Sequence, residues 1–368
     1  FTGNVKTKYQ RGDIDVRQVG FQETDIVAIT SPITKFSKMV TSPEDIRHDL
    51  EKAIHLARAP CPGPVLLDLP IDIQKAEIDP EKLQGFTPPT QSDYDLSEMD
   101  RQTDLFLEDL VRSERPVIFI GGGVRLSGGI EHLLKVGSQL NIPIFPTWNS
   151  LDVVTDDLPF FGGRVGTYAG KGRNFGIQNS DLLLAVGTRV TGRITGSRIS
   201  DFARGAKKYL VGIDETFLDY SDRENPEIES QQPFVLFDEC IHSDASLFLK
   251  TLSDKLSDTK IPNFSDWMAQ VAQWRDTYDP VRPEHFSQTG VVNPYAFTRN
   301  LSREMQQGDI LVGDCGGNIV TLSHAFETKQ GQRFLTNNGN SPMGFSFAGA
   351  MGAYLASDKN HNVVCVIG

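Results

Sequence analysis

The sequence lacks features that mark several protein classes. Its four cysteines, Cys61, Cys240, Cys315 and Cys365, form no Cys-x-x-Cys pair, which argues against a structural zinc site. Scattered thiols in a chain of 368 residues also argue against a disulfide scaffold and instead predict a reducing compartment, the cytoplasm. No apolar run approaches about 20 residues, so no membrane span is predicted.

Charge and histidine placement exclude two further classes. The chain has 36 basic and 48 acidic residues and a net charge of -12, without a run of Lys or Arg, so no nucleic-acid partner is predicted. The seven histidines accompany no nucleophile elbow, so hydrolase chemistry is not predicted. We also predict no metal site within the chain. Small-molecule chemistry or a non-catalytic role therefore remains.

The order of apolar runs predicts an α/β protein with doubly wound parallel sheets in several domains. Short strands that are apolar on both faces alternate with helical stretches, as in parallel sheets covered on both sides. Residues 1–85 have too few elements for a whole domain, and we interpret them as the end of one. Residues 106–260 predict a central Rossmann-like domain and residues 291–368 the start of a third, with linkers at 86–105 and 261–290.

Individual elements follow from the same pattern. The predicted strands lie at 64–69, 117–120, 142–145, 182–186, 209–213, 310–312, 334–336 and 363–367. The predicted helices lie at 43–58, 267–278, 295–305 and 345–355. In an open parallel sheet, ligands bind beyond the carboxyl ends of the strands, so the loops after these strands are the expected place for a site.

Two loops of the central domain suit an anion. Gly121, Gly122 and Gly123 follow its first strand, where glycines suit either a phosphate at a helix N-terminus or a tight turn. Their spacing is not the Gly-x-Gly-x-x-Gly of a dinucleotide-binding fold. Arg189 and Arg193 lie in a later strand-end loop and suit either an anionic ligand or surface ion pairs.

Other strand ends carry acidic or small residues. Asp214 and Asp244 suit either a nucleotide contact or the capping of a helix. Residues 313–318 place small residues ahead of a helix, which predicts either an anion-binding nest or a plain turn. Residues 337–344 form a second such loop, in which Met343 stands among polar and glycine residues rather than in an apolar core.

In this order and spacing, these segments resemble the large, catalytic subunit of acetolactate synthase and its relatives, which use thiamine diphosphate. The resemblance runs over residues 21–368. It rests on Phe21-Gln22-Glu23, residues 32–35 and 58–74, the triple glycine with residues 166–167, 180–184, 187–189 and 212–214, residues 313–318, and residues 339–344 with 349–353. It implies the end of a pyrimidine-binding domain, a central domain that carries FAD in acetolactate synthases, and the start of a diphosphate-binding domain.

The resemblance implies thiamine diphosphate and Mg2+ as cofactors, with decarboxylation of a 2-keto acid such as pyruvate and carboligation to a second carbonyl. The site would lie at the subunit interface of a homodimer or homotetramer. Phe21 and Gln22 would line the substrate channel from the neighbouring subunit, and Met343 would support the bent cofactor. Thiamine diphosphate would contact Asp314, Cys315, Gly316, Gly317, Asn318, Gly339, Asn340, Ser341 and Gly368. FAD, if bound, would contact Gly122, Gly123, Arg189, Asp214 and Asp244, with Arg193 at the channel mouth.

The sequence also departs from the family pattern. Ile71 stands where the family carries a lysine, Thr191-Gly192 replace paired acids, and Ser341-Pro342 replace Gly-Thr. These departures leave the acceptor substrate and FAD open. The alternatives are an FAD-linked oxidoreductase resembling pyruvate oxidase, another thiamine-diphosphate lyase, and a non-catalytic fragment. The family's activating glutamate would lie upstream and its metal-binding Gly-Asp-Gly…Asn motif would begin at Gly368, so we expect a chain truncated at both ends and inactive alone.

Overall fold

The protein is described by a computed structural model, which covers residues 1–59, 61–89, 94–168, 171–224, 234–357 and 359–368. The chain divides into two compact units, Phe1–Asp93 and Tyr94–Gly368. Every strand pair in the described part is parallel. This confirms the predicted α/β class with parallel sheets.

The strands and helices have the following bounds. The strands are β1 (Thr2–Asn4), β2 (Phe36–Met39), β3 (Val65–Pro70), β4 (Pro116–Ile120), β5 (Ile144–Pro146), β6 (Leu182–Val186), β7 (Lys207–Gly212), β8 (Glu239–His242), β9 (Ile310–Gly313), β10 (Arg333–Leu335) and β11 (Val363–Val366). The helices are α1 (Ile26–Thr30), α2 (Ile46–Arg58), α3 (Ile71–Gln74), α4 (Leu96–Arg112), α5 (Gly123–Leu126), α6 (Ile130–Leu140), α7 (Phe175–Gln178), α8 (Gly192–Thr195), α9 (Glu215–Ser221), α10 (Ala245–Leu256), α11 (Ser265–Thr277), α12 (Pro294–Glu304), α13 (Gly316–Ala325) and α14 (Phe345–Ala356).

The first unit contains a three-stranded sheet in the order β1-β3-β2. Its core is small: Val40, Ala53 and Leu67 are buried, and partly buried side chains of α2 and β3 pack around them. Asp68 is buried at the centre of the sheet. It accepts hydrogen bonds from Thr2 Oγ1 at 2.8 Å and from the Asn4 side-chain amide at 2.7 Å. This buried carboxylate therefore holds the short edge strand β1 in place.

The second unit begins with a five-stranded sheet in the order β5-β4-β6-β7-β8. β4 and β6 are buried at every position, because helices cover both faces of the sheet. One face packs against α4, α6 and α10, through side chains such as Phe106, Leu133 and Phe248. The other face packs against α11 and neighbouring loops, through side chains such as Phe119 and Trp267.

The same unit contains a three-stranded sheet in the order β10-β9-β11. Its core includes Leu311, Ile319 and Phe334, from β9, α13 and β10. Leu151, which follows β5 in the chain, is buried in this core as well. A residue of the central part of the chain thus completes the core of the last part.

Helix starts in the second unit follow the capping rules. Asp95, Asp214, Asp244 and Asn293 precede α4, α9, α10 and α12, and each side chain accepts a backbone N–H of the first turn. Such caps satisfy donors that have no partner inside the helix, and each contributes about 1 kcal/mol. The aspartates at the ends of β7 and β8 therefore have a local structural role, whatever else they bind.

Most of the predicted elements are confirmed, with small shifts of their ends. The structure adds β1, β2 and β8, which the sequence did not indicate because they are short and at least half of their residues are polar. The strand predicted at 142–145 begins at Ile144, because Pro143 has no N–H to donate. Residues 96–105 of the predicted linker lie in α4, and 265–277 of the second linker lie in α11. The domain boundaries themselves stay a prediction.

Candidate functional site

The carboxyl ends of β9, β10 and β11 meet at one edge of the three-stranded sheet. The strands are parallel, and their register pairs Val312 with Leu335 and Gly313 with Val366. The residues that follow the three strands therefore leave the sheet on the same side. We call residues 314–318, 336–344 and 367–368 the three-strand edge.

Two side chains connect the three loops of this edge. Asp314, which follows β9 and is 6% exposed, accepts the N–H of Gly344 with both carboxylate oxygens. Asn318 donates its side-chain N–H to the carbonyl of Gly368, after β11, at 3.0 Å. The Asn318 amide oxygen also lies 3.3 Å from the Asp314 N–H. Predicted site residues that are far apart in the sequence are thus brought together.

Two helices begin at the three-strand edge. α13 begins after Cys315 and α14 after Gly344, and neither cap residue offers a side-chain hydrogen bond. The first turns contain no acidic side chain. The Asp314 carboxylate already accepts the Gly344 N–H at α14, so the N–H groups and the positive dipole end that remain for an anion are chiefly those of α13. Helix N-termini of this kind are suited to phosphate.

The start of α13 is also sterically open. A Cβ placed on Gly317 would meet no described atom within 4 Å, and one on Gly316 would meet only the Gly368 carbonyl, at 3.8 Å. Gly316 has a φ of 68°, which a side chain would strain. The glycines therefore leave space in front of the helix, and a diphosphate group fits the donors and the space that they provide.

The loop at 337–344 presents Met343 on the surface. The Met343 side chain is 87% exposed, and Gly339 and Asn340 are also exposed. Ser341 adopts a positive φ of 47°, and its N–H donates to Asn337 at the start of the loop. Met343 is therefore not a core residue, and an apolar side chain stands free beside the helix N-termini.

The far end of α13 is held by aromatic contacts. His324 stacks on Tyr295 of α12 at 6.4 Å between ring centroids, and Trp148 meets His324 edge-on at 6.0 Å. Burial raises the pKa of the Tyr295 phenol, so this group stays neutral at ordinary pH. These aromatic contacts place the helix but lie at the end opposite to the three-strand edge.

The triple glycine after β4 is explained by close packing. The N–H groups of Gly121 and Gly123 donate to carbonyls of Val186 and Gly187, each at 3.0 Å. A Cβ on Gly121 would lie 2.2 Å from the Gly187 carbonyl oxygen, and one on Gly123 would lie 2.8 Å from the Gly187 Cα. Gly122 is less crowded, with its nearest neighbour at 3.4 Å. Gly121 and Gly123 therefore lack side chains because the turn after β4 packs closely against the turn at Gly187.

The arginines after β6 are exposed. The Arg193 guanidinium lies over the Trp148 ring at 5.6 Å and the Tyr168 ring at 6.0 Å. The Arg193 carbonyl also accepts the Thr167 N–H at 2.8 Å, which joins this loop to the loop after residue 165. Arg193 is therefore preorganised on an aromatic surface, and together with Arg189 it leaves two cations available to an anion.

The predicted residues of the first unit lie in a turn built around a carboxylate. Glu23 accepts the N–H groups of Arg11, Val19 and Gly20, at 2.6, 2.8 and 3.2 Å. The N–H of Arg11, followed by that of Val19, lowers the pKa of the Glu23 carboxyl. Phe21 is 86% exposed on this turn, and Gln22 has a φ of 67°. The roles of Phe21 and Gln22 stay predictions.

Other features of the structure lie away from the predicted site. A cavity of about 620 Å3 lies at the amino ends of β4 and β6, beside Arg115 and Ser180, and none of the predicted site residues lines it. In the described part of the chain, no three His, Cys, Asp or Glu side chains are grouped as metal ligands would be. None of the helices there is both long enough and apolar enough to span a membrane.

Sequence reasoning missed the loop after β5. Trp148 lies under the Arg193 guanidinium, Asn149 accepts the Asn338 side-chain N–H, and Asp152 pairs with Arg125. A signal was available, because Asn149 and Asp152 are polar residues of the loop that follows a buried strand. It was overlooked because the strand is short and the loop contains no glycine.

Comparisons with known proteins agree with this geometry. The family described as thiamine pyrophosphate enzyme, central domain, matches residues 104–232. The family described as thiamine pyrophosphate enzyme, C-terminal TPP binding domain, matches residues 312–368. The two matches together cover about half of the chain, and the second contains the whole three-strand edge.

Curated relatives align along the full chain. A probable acetolactate synthase large subunit of Methanocaldococcus jannaschii is 30% identical over an alignment of 381 positions, which spans 100% of this chain and 59% of that protein. The acetolactate synthase large subunit of Lactococcus lactis is 28% identical, over 100% of this chain and 59% of its own length. Isozyme 2 of Escherichia coli is 27% identical, over 95% and 58%. The chain thus spans about three fifths of the length of these relatives.

Proposed function

The chain belongs to the thiamine pyrophosphate enzyme family, and on that premise we propose that it provides the central and cofactor-binding parts of an acetolactate-synthase-like enzyme. The proposed reaction decarboxylates a 2-keto acid such as pyruvate and joins the remaining two-carbon unit to a second carbonyl. One observation carries the proposal: Asp314 and Asn318 hold three strand ends and two helix N-termini together at one open edge.

The three-strand edge is the proposed seat of the cofactor diphosphate. The N–H groups of Gly316 and Gly317 would donate to phosphate oxygens, with Cys315 and Asn318 beside them. The loop residues Gly339, Asn340 and Ser341 would form the opposite wall. When bound, thiamine diphosphate supplies the centre that stabilises the electrons released on loss of CO2. The chain itself would bind the cofactor, orient it and shield it from solvent.

Two further features of this edge support the proposal. The exposed Met343 side chain would pack against the cofactor rings, which are apolar enough to replace water there. Mg2+ would enter with the diphosphate, next to Gly368, where the resemblance places the first residue of the metal motif. A cation is needed because two phosphate groups carry charge that N–H donors alone do not neutralise.

Phe21 and Gln22 are the proposed channel residues, and the rigid turn around Glu23 supports that role by holding them at the surface. Arg193, stacked on Trp148 and Tyr168, is proposed to attract the keto-acid carboxylate at the channel mouth. The acceptor is a second carbonyl compound whose identity is left to experiment.

The proposed reaction does not depend on FAD. The N–H of Gly123 already donates to Gly187, and Asp214 and Asp244 accept N–H groups as helix caps. Asp214 and Asp244 each use one carboxylate oxygen for the cap and keep the other, so the predicted flavin contacts are left to experiment. A flavin absorbance that bleaches with pyruvate would favour the oxidase-like alternative, and a colourless protein would contradict it.

We further propose that the enzyme is a homo-oligomer, with its site at the interface. α14 carries Phe347, Met351 and Leu355 at intervals of four residues, so that they form one stripe, and these side chains are 64%, 58% and 70% exposed. An exposed apolar stripe of this kind is typical of an interface. Light scattering on the complete gene product tests the dimer or tetramer.

The cytoplasm is the proposed compartment. Cys61, Cys240, Cys315 and Cys365 are all free thiols, which supports a reducing environment. Fractionation of the source cells with an antibody against the protein tests this assignment.

The central experiment uses the complete gene product with thiamine diphosphate, Mg2+ and a panel of 2-keto acids. We expect pyruvate to release CO2 and to yield a condensed product that NMR identifies. Omission of either cofactor is the control. If calorimetry shows no thiamine diphosphate binding and no 2-keto acid is turned over, the proposed function is wrong.

A further inference from the structure

The segment after β5 contacts the parts of the second unit that lie on both sides of it in the sequence. We call residues 148–157 the bridge segment. Leu151 lies in the core formed by Leu311 and Phe334, and the Leu151 carbonyl accepts Thr328 Oγ1 at 2.9 Å. Asp152 and Asp156 make two further groups of contacts.

Asp152 connects the turn after β4 to the start of β10. Its side chain is 3% exposed, and one carboxylate oxygen lies 3.1 Å from the Arg125 guanidinium. The other oxygen accepts Arg333 Nε at 2.9 Å and the Phe334 N–H at 3.1 Å. A buried carboxylate with two arginines and a backbone donor is charge-neutralised and has little freedom to move.

Asp156 makes a comparable contact in a different place. Its carboxylate pairs with the buried Arg164 and accepts the Thr328 N–H at 2.8 Å. The Asp156 N–H in turn donates to the Thr328 carbonyl at 3.2 Å. Asp156 therefore holds the start of the connection from α13 to β10, whereas Asp152 holds β10 itself.

The contact of Asp152 with β10 lies just ahead, in the sequence, of the loop that carries Met343. β10 ends at Leu335, and residues 337–344, which we call the site loop, begin two positions later. Asn149 of the bridge segment contacts this loop as well, because its amide oxygen accepts the Asn338 side-chain N–H at 2.8 Å. The loop is thus held from behind by the bridge segment and at its end by Asp314.

We propose that Asp152 is a positioning residue, which sets the place of the site loop and thereby the affinity of the three-strand edge for thiamine diphosphate. The proposal rests on the function proposed above for the ligand, but its mechanical part does not. Asp152 holds Arg333 and Phe334, and only two residues separate Phe334 from the loop. The position of Asp152 therefore affects the position of the loop. A loop displaced by about 1 Å would lose much of its effect on a bound group.

Hydrogen exchange measures the mechanical part without any cofactor. In Asp152→Asn, the charge that holds Arg333 is removed, and we expect amides of residues 333–344 to exchange about tenfold faster. Asp156→Asn is the matched control: it removes a carboxylate charge from the same segment, paired with an arginine in the same way, but leaves residues 333–344 as in the parent protein. Equal exchange in both variants would overturn the proposal.

A second variant protects the experiment against misfolding. If Asp152→Asn does not fold, Arg333→Gln removes the same contact from the partly exposed side, where the side chain is 43% exposed. We expect it to speed exchange over residues 333–344 as Asp152→Asn would. Unchanged exchange in Arg333→Gln would overturn the proposal.

Calorimetry with thiamine diphosphate and Mg2+ tests the consequence for binding. Using the complete gene product, we expect Asp152→Asn and Arg333→Gln to raise the Kd about tenfold, and Asp156→Asn to leave it within about twofold. A Kd that rises equally in all three would indicate general loosening and contradict a positioning role. If the parent protein binds no thiamine diphosphate, the proposed function fails, while the exchange result still decides the role of Asp152.

Discussion

Asp314 accepts the backbone N–H of Gly344 with both of its carboxylate oxygens, at 3.1 and 3.2 Å. The contact joins the end of β9 to the start of α14, across 30 residues of sequence. It lies where three strand ends meet, so it fixes the position of the loop with Met343 at the three-strand edge. A single buried carboxylate thus shapes the proposed diphosphate-binding site, although the carboxylate itself is not exposed there.

Replacement of this carboxylate should loosen the edge. In Asp314→Ala, the Gly344 N–H loses its acceptor in a mostly buried place, and we expect about 1–3 kcal/mol less stability in urea denaturation. Asp314→Asn keeps one oxygen acceptor and should lose less than half as much. Equal losses in the two variants would show that the carboxylate charge, rather than the acceptor, matters at this position.

Three glycines should respond to alanine in different ways. Gly317→Ala adds a methyl group into open space, so we expect the protein to fold with unchanged or slightly higher stability but to bind thiamine diphosphate about tenfold more weakly. Gly121→Ala would place its Cβ 2.2 Å from a carbonyl oxygen and should prevent correct folding. Gly122→Ala, with 3.4 Å of space, is the tolerated control.

Thermal melts and calorimetric titrations of these three variants distinguish the two kinds of effect. A Gly317→Ala protein that binds thiamine diphosphate as tightly as the parent would contradict the placement of the diphosphate at the start of α13. A Gly121→Ala protein with an unchanged Tm would contradict the packing explanation for the triple glycine.

The turn that presents Phe21 should depend on Glu23. Backbone N–H groups, that of Arg11 first, lower the pKa of this carboxyl, so its contribution is complete above about pH 4.3, the ordinary value, and is lost as pH falls through the lower folded-state pKa. At neutral pH, Glu23→Gln should speed hydrogen exchange in residues 11–22. Asp13→Asn, which removes the same charge from the same exposed segment, should not; faster exchange in both would refute the role of Glu23.

Tyr209 should make the protein sensitive to alkali. Burial, and then its hydrogen bond to Asp109, raises the pKa of the phenol above its ordinary value. Its contribution is therefore complete below about pH 10, where the unfolded chain titrates, and is lost above it by up to about 1.4 kcal/mol per pH unit. Tyr209→Phe should be less stable at pH 7 but should decline less steeply in denaturation series above pH 10.

The matched control for this prediction is Tyr220→Phe, which alters a half-exposed tyrosine on α9 of the same unit. Its stability should fall with rising pH as steeply as that of the parent. A Tyr209→Phe protein with the parent's alkaline slope would show that another group is responsible.

Part of the site could be predicted from the sequence. Gly313 to Asn318 and the loop around Met343 were identified because small residues follow apolar strands ahead of helices, and this signal is local. The three glycines at 121–123 show the limit of such reasoning. Their pattern suits either a phosphate or a tight turn, and only the approach of Gly187 explains why two of them lack side chains.

The sequence by itself determined the α/β class, most strands and helices, and the strand ends at which a ligand is expected, because hydrophobic periodicity and glycine placement act over a few neighbouring residues. Only the tertiary structure decided that β9 lies between β10 and β11, that Asp314 meets Gly344, and that Asp152 contacts β10. These relationships join residues that are far apart in the chain. They depend on how sheets and loops pack, which no local pattern specifies.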